Sequence, residues 1–469
     1  MQTLTDKFSR LSALRPVRPM ASRPATATRR APEAEDALSQ LLGATIATND
    51  YGDHVSVSNW FSTPEFAQPS AATLELLCRT RGLAASKRVQ AALSDPTKWL
   101  FLDTETTGLS GGTGTYAFLI GLAWWDAGGL QVEQFFMRDF DEEHSILYEL
   151  AARLVERPVL VTFNGKSFDW PLLENRFTMT RAIATPQLVT HLDLLHPARA
   201  LWRLRLGSVR LVDLERDVLN AHRLGWHRGD DILSSLIPQH YFDYIRGGPA
   251  EPLAAVVRHN QMDLRGLAAI LGRIEALLAA ANEPDADFAG IDLFSLSKFL
   301  KRRGDPHRAE TACSQALDLG LPAEYRPQAR REMALFAKRS GDYDRAIELW
   351  LELTRPRTVT PASLADAILA CEELAIHYER HAKDLTRALE YAQAALGNLF
   401  RLQAMSRSVD SPARLARIQQ RLLNRVARLQ HRMELGDAER RRALPLLDPP
   451  LTAVNAKAPG VSKSRKLRF

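Results

Sequence analysis

The chain has 469 residues, 45% hydrophobic and 25% charged, a balance that reads as globular with length for two or three domains. No apolar run approaches the roughly 18 residues of a membrane span, and the basic N-terminus lacks the apolar core of a secretory signal, so a cytoplasmic location is expected. Three widely spaced cysteines, Cys78, Cys313 and Cys371, form neither a disulfide framework nor a zinc site.

The formal net charge of +6 is unevenly spread. Residues 1–32 hold seven Lys/Arg against one Asp, and residues 455–469 hold five against no acid, so the ends carry +11 and the middle about −5. Such tails attract nucleic acid through charge, or are simply disordered and solvated.

In chain order, residues 1–38 read as a disordered basic arm, rich in Arg, Pro, Ala, Thr and Ser. Residues 39–94 read as a small packing segment: a short helical run, alternation around Val55, Val57 and Trp60, then a helical stretch over 71–94. The main domain, expected over 95–282, opens with a strand at Lys98–Thr104. A glycine-rich turn, Gly108–Thr115, lacks the lysine of a nucleotide P-loop. Strands are expected at Ala117–Trp125 and Gln131–Arg138, as a hairpin across 126–129, and at Pro158–Phe163 and Leu188–Leu195. Helices are expected at Glu142–Glu156, from Asp169 onward and at Glu251–Leu278. The alternation of hairpin, helix and strand is mixed α/β.

Beyond Asp287 no strand pattern remains, and a turn recurs: Gly304-Asp305 before Arg308-Ala309, Gly341-Asp342 before Arg345-Ala346, and Asp384 before Arg387-Ala388. The spacings of 37 and 42 residues between these alanines predict tetratricopeptide-like helical repeats over 290–435, whose ideal period is about 34 residues. A last amphipathic helix, Ala413–Met433, sets a basic stripe (Arg414, Arg417, Arg421, Arg425, Arg428 and Arg432) beside its apolar one, suited to nucleic acid or to a solvated face. A second disordered basic tail is expected over 436–469.

The chemistry centres on Leu100-Phe101-Leu102-Asp103-Thr104-Glu105-Thr106-Thr107-Gly108. In a strand, side chains two apart share a face, so Asp103 and Glu105 sit together at the end of a buried run. Like charges held that close repel unless hard cations bridge them. Asp169 and Asp263 fall at further structural termini or on the late helix, and His259 shares a helical face with Asp263. Carboxylates from several elements can hold two divalent ions, which clamp a phosphodiester displacement, and a nearby imidazole can take the proton of an attacking water. Asp193 is another strand-end acid, suited to backbone hydrogen bonding and left outside the ligand set.

Asp103-Thr104-Glu105-Thr106-Thr107-Gly108, Asn164-Gly165-Lys166-Ser167-Phe168-Asp169 and His259-x-x-x-Asp263 resemble the three motifs of the DEDD (DnaQ-like) 3′–5′ exonucleases. More narrowly, with the 112–116 run, Leu211–Leu219, Ile237-Pro238-x-x-Tyr241 and His259-Asn260, they resemble the YprB-type RNase-H-like domain, over about residues 95–280. The resemblance implies an RNase-H-like α/β fold, a mixed central sheet flanked by helices, ahead of the all-α repeat domain. It implies two Mg²⁺ or Mn²⁺ ions on Asp103, Glu105, Asp169 and Asp263, with His259 as base and Asn164, Thr106 and Gly108 near the substrate. His259 lies four residues before Asp263, where the tyrosine subgroup has its tyrosine, while the histidine subgroup places its histidine five before, where this chain has Arg258. The expected function is a metal-dependent 3′–5′ exonuclease on single-stranded DNA or RNA. The alternative is an inactive nuclease-fold platform whose repeats bind a protein partner.

Overall fold

The computed structural model describes residues 39–62, 68–78, 86–108, 114–224, 228, 231–282, 288–356, 358–405 and 412–434. The basic arm, the basic tail and the centre of the glycine-rich turn, residues 109–113, lie outside the described residues. The chain divides into two compact units: one runs to Phe288 and takes up Lys298–Asp305, and the other comprises Ala289–Ser297 and continues from Pro306.

The first unit is built on seven strands: β1 (Thr45–Asn49), β2 (Gly52–Phe61), β3 (Trp99–Thr106), β4 (Ala117–Asp126), β5 (Gly129–Phe136), β6 (Val159–Thr162) and β7 (Thr190–Asp193). Their order across the sheet is β1-β2-β5-β4-β3-β6-β7. The β4–β5 hairpin turns at Ala127-Gly128 with positive φ at both positions, and Asp126 pairs with Gly129. β3 pairs antiparallel with β4 and parallel with β6, and β6 pairs parallel with β7, so the sheet is mixed as expected. The alternation around Val55 and Val57 does not make a separate packing segment. It makes β1 and β2, the antiparallel edge that extends the sheet from β5. A period of two marks a strand but not its neighbour.

The first helices are α1 (Ala71–Cys78) and α2 (Lys87–Leu93). After the hairpin come α3 (Glu143–Glu156), α4 (Asp169–Thr180), α5 (Leu195–Leu206), α6 (Leu211–Asp217), α7 (Ile237–Ile245) and α8 (Glu251–Ala280). Leu100, Leu102, Phe118, Ile120 and Leu122 lie on one face of β3 and β4 and pack with Ile146, Leu150, Leu173, Phe177 and Tyr241 of the helices. Fully burying each such side chain contributes about 1.5–3 kcal/mol. α8 covers the other face, where Leu264 and Asn260 press on Gly121. β3 is therefore covered on both faces, and its N-terminal half, Trp99–Leu102, is almost wholly buried.

The second unit is all helical: α9 (Gly290–Arg303), α10 (Pro306–Asp318), α11 (Arg326–Ser340), α12 (Tyr343–Thr354), α13 (Pro361–Arg380), α14 (Leu385–Met405) and α15 (Pro412–Glu434). The first residues of α9 and the remaining helices belong to it. The recurrent turns have one physical design. Gly304, Gly341 and Lys383 take positive φ, the aspartates Asp342 and Asp384 then accept from the backbone N–H of Arg345 and Arg387, and Ala309, Ala346 and Ala388 are fully buried.

Half of the basic stripe of α15, Arg414, Arg417 and Arg421, is exposed as a solvated face would be, but four of its arginines are ion-paired within the unit. Arg421 is bidentate on Glu372, and Arg425, Arg428 and Arg432 converge on the buried Glu379. Periodicity places a charge on a face but does not reveal the carboxylate on a neighbouring helix.

Candidate active site

β3 runs from the buried core into a cavity of about 610 Å³ lined by Glu105, Thr106, Gly108, Phe168 and Asp169. The ladder to β4 slips between Glu105 and Thr106, a bulge at the strand's C-terminal end of the kind that re-aims side chains. Asp103, opposite Gly121, faces α8. There the buried Asn260 donates from Nδ2 to Asp103 Oδ2 at 2.8 Å and to the Asp103 carbonyl at 3.2 Å. The fully buried Gln134 donates in turn to Asn260 Oδ1 at 2.8 Å and to the Val257 carbonyl at 2.9 Å. This side-chain chain crosses the sheet where Gly121 leaves room: a Cβ there would lie 2.0 Å from Asn260 Oδ1.

Asp169 opens α4 and accepts from Thr104 Oγ1 at 2.6 Å. On α8, His259 and Asp263 lie one turn apart, and their ligand atoms with one of Glu105 all fall within 4.8 Å of one another. Three elements thus bring Asp103, Glu105, Asp169, Asp263 and His259 to one place. Burial, and then the neighbouring charges of Asp263, Glu105 and Asp169, push the Asp103 carboxyl well above its usual range. Burial and the charges of Asp263 and Asp169 do the same to Glu105, and burial raises Asp169 despite its hydrogen bond from Thr104. Hard oxygen donors that repel one another, joined by one imidazole, fit a divalent cation.

Thr106 and Gly108 form the rim: Thr106 Oγ1 donates to the Gly108 carbonyl at 2.9 Å, and Thr107 N–H donates to the Tyr116 carbonyl at 2.9 Å. Asn164 stands apart from this cavity. It lines a neighbouring one of about 620 Å³ and takes positive φ. Asp193, the acid left outside the ligand set, is buried and holds the Asn164 loop by accepting from the backbone N–H of Asn164 (2.8 Å), Leu195 (3.0 Å) and Lys166 (3.3 Å).

The sequence reading missed a charged cluster on the far side of His259. Arg228 grips the buried Glu215 with two bonds of 2.6 and 2.8 Å, reaches Asp231 at 2.9 Å and also contacts Asp263. His259 Nδ1 lies 2.8 Å from both oxygens of Asp231, a pairing that assigns the ring proton to Nδ1 and leaves Nε2 facing Asp263 Oδ2 at 3.7 Å. Burial raises Asp231, but the hydrogen bonds from His259 and Arg228 outweigh it and hold the carboxyl below its usual range. Gly266 makes room for Glu215, whose Oε1 would lie 2.4 Å from a Cβ there. Arg228-Gly229-Asp230-Asp231 looks like a solvated charge run, and no local spacing links it to residues 31 and 35 positions later.

Residues 100–274 match the family RNase_H_2, described as RNase_H superfamily. Over 300 residues the chain is 29% identical to a protein of Bacillus subtilis (strain 168) named "Uncharacterized protein YprB", covering 64% of this chain and 69% of that one. Among solved structures it is similar to the family B DNA polymerase of the hyperthermophilic archaeon Pyrobaculum calidifontis, with 15% identity and a TM-score of 0.30. That match covers 52% of this chain and spans only 29% of the polymerase chain. Among the described residues no helix is long and apolar enough to cross a membrane.

Proposed function

With an RNase-H-like domain over residues 100–274 as the premise, we propose that this chain is a metal-dependent 3′–5′ exonuclease acting on single-stranded nucleic acid. The observation that carries the reading is the convergence of four half-buried carboxylates, Asp103, Glu105, Asp169 and Asp263, the first three of which burial pushes toward the neutral form and which divalent cations would hold charged. Two divalent ions, Mg²⁺ or Mn²⁺, would be held by these four and would supply charge stabilisation for the attacking and leaving oxygens. His259 Nε2 takes the proton of the attacking water, because Asp231 occupies Nδ1 and fixes the ring. Thr106 and Gly108 present the rim of the cavity to the terminal nucleotide. In this reading the second unit is a tetratricopeptide-like array that brings a protein partner to the nuclease.

The test is degradation of 5′-labelled single-stranded DNA and RNA in Mn²⁺ by wild type and Asp103→Ala. A ladder shortening from the 3′ end, absent in the variant, is expected. Internal cuts, or no cleavage by folded protein, would refute the reading. One observation favours a second function: Arg228 lies on Asp263 and already neutralises one ligand, as suits an inactive platform whose helical repeats do the binding. Absence of a Mn²⁺-induced rise in melting temperature would select it.

A further inference from the structure

The loop Phe163–Phe168 separates two cavities of the first unit. Its far end, Ser167 and Phe168, lines the carboxylate cavity, and its near end, Phe163 and Asn164, lines the second. The second cavity is basic where the first is acidic: Arg199 and Arg203, one turn apart on α5, and Arg210 form its wall. Arg210 is bidentate on Asp213, at 2.9 and 3.0 Å, and is thereby neutralised. Arg199 and Arg203 are exposed, and among the described residues no carboxylate lies within ion-pair distance of either. Lys166, on the loop itself, is also exposed and without such a partner among the described residues. Phe168, on the rim of the carboxylate cavity, presents its ring to solvent at 59% exposure.

We propose that this cleft binds the backbone of the single strand upstream of its 3′ end. The strand leaves the carboxylate cavity over the loop, one base stacks on Phe168, and phosphates meet Lys166, Arg199 and Arg203. Guanidinium forks match phosphate oxygens, and an exposed ring accepts any unpaired base, which is the pairing of features that single strands require. The backbone of the loop is held for this by Asp193, so the platform between the cavities is fixed before the strand arrives. The proposal rests on the nuclease reading for the direction of the strand, but its binding surface can be tested apart from hydrolysis.

The experiment compares wild type with R199A/R203A by fluorescence anisotropy of a 5′-fluorescein oligothymidylate of about 20 nucleotides in EDTA over a KCl series. Both side chains are exposed and unpartnered among the described residues, so an unchanged melting temperature is expected. Losing two phosphate contacts should lower the salt slope by about 1.4 and weaken binding about 25-fold near 0.1 M salt. Hydrolysis of thymidine 5′-p-nitrophenyl phosphate in Mn²⁺, which cannot reach the cleft, should be the same in both proteins. An unchanged dissociation constant and slope would overturn the proposal, as would a wild type that binds no oligonucleotide. A polyglutamate of equal charge bound as tightly, and weakened equally, would show a cleft for acidic peptide instead. A variant that binds like wild type while the wild type yields the 3′ ladder sinks the cleft alone. A variant that loses binding while the wild type yields no ladder sinks the nuclease reading alone.

Discussion

Gly121→Ala should unseat the candidate site without touching any of its acids. The added Cβ would sit 2.0 Å from Asn260 Oδ1 and 2.8 Å from both Asn260 Cγ and Leu264 Cδ1. Asn260 cannot swing aside cheaply: it is fully buried, donates to Asp103 and accepts from Gln134. Overpacking costs about 1–3 kcal/mol, and the two hydrogen bonds, one to a carboxylate, add about 1–1.5 kcal/mol each, so a loss of about 3–6 kcal/mol is expected. The assay is urea titration followed by amide exchange in β3 and β4, with a Mn²⁺ thermal shift reporting whether Asp103 is still placed. Asn260→Ala removes the obstructing amide, so the double variant should be less damaged than the sum of the singles, by about 0.5–3 kcal/mol. A cost below about 1 kcal/mol for Gly121→Ala, or strict additivity with Asn260→Ala, would refute the reasoning.

Asp103→Asn keeps an acceptor for Asn260 but removes a buried charge. Because burial and neighbouring acids raise the folded-state pKa of Asp103, its carboxyl supports the fold at low pH, and that support is lost as pH rises above the ordinary carboxylate range of about 4. The variant's melting temperature relative to metal-free wild type should therefore climb between about pH 4 and 8, by about 1–3 kcal/mol of stability, while its Mn²⁺ shift disappears. A difference that stays flat with pH would count against the buried repulsion. Asp231→Asn leaves His259 without the carboxylate on Nδ1, and turnover of a labelled single strand should fall about 10–100-fold at unchanged Mn²⁺ affinity. Equal turnover would show that Asp231 serves only Arg228. In the helical unit, Glu379→Ala takes the shared carboxylate from Arg425 and Arg428 and should cost about 3–5 kcal/mol, read as loss of amide protection in α13 and α15. Protection within error of wild type would mean the arginines find water instead.

The amino-acid sequence alone marked β3, the late helix α8 and the acids they carry. An apolar run ending in Asp103-x-Glu105 specifies a buried strand with two carboxylates on one face, because a strand has a period of two. His259 and Asp263 come together on a helix for the equivalent reason, and the Gly-Asp and Lys-Asp turns before Ala346 and Ala388 are local backbone chemistry. Only the tertiary structure decided what each element meets. That β2 lies against β5, that Gly121 hollows out a place for Asn260, and that Arg228 reaches Asp263 are contacts across tens of residues. The same holds for the arginines of α15, which look like a surface for nucleic acid until Glu372 and Glu379 are placed beside them. Periodicity records which face a residue occupies, and the partner on that face is set by how the layers close over the core.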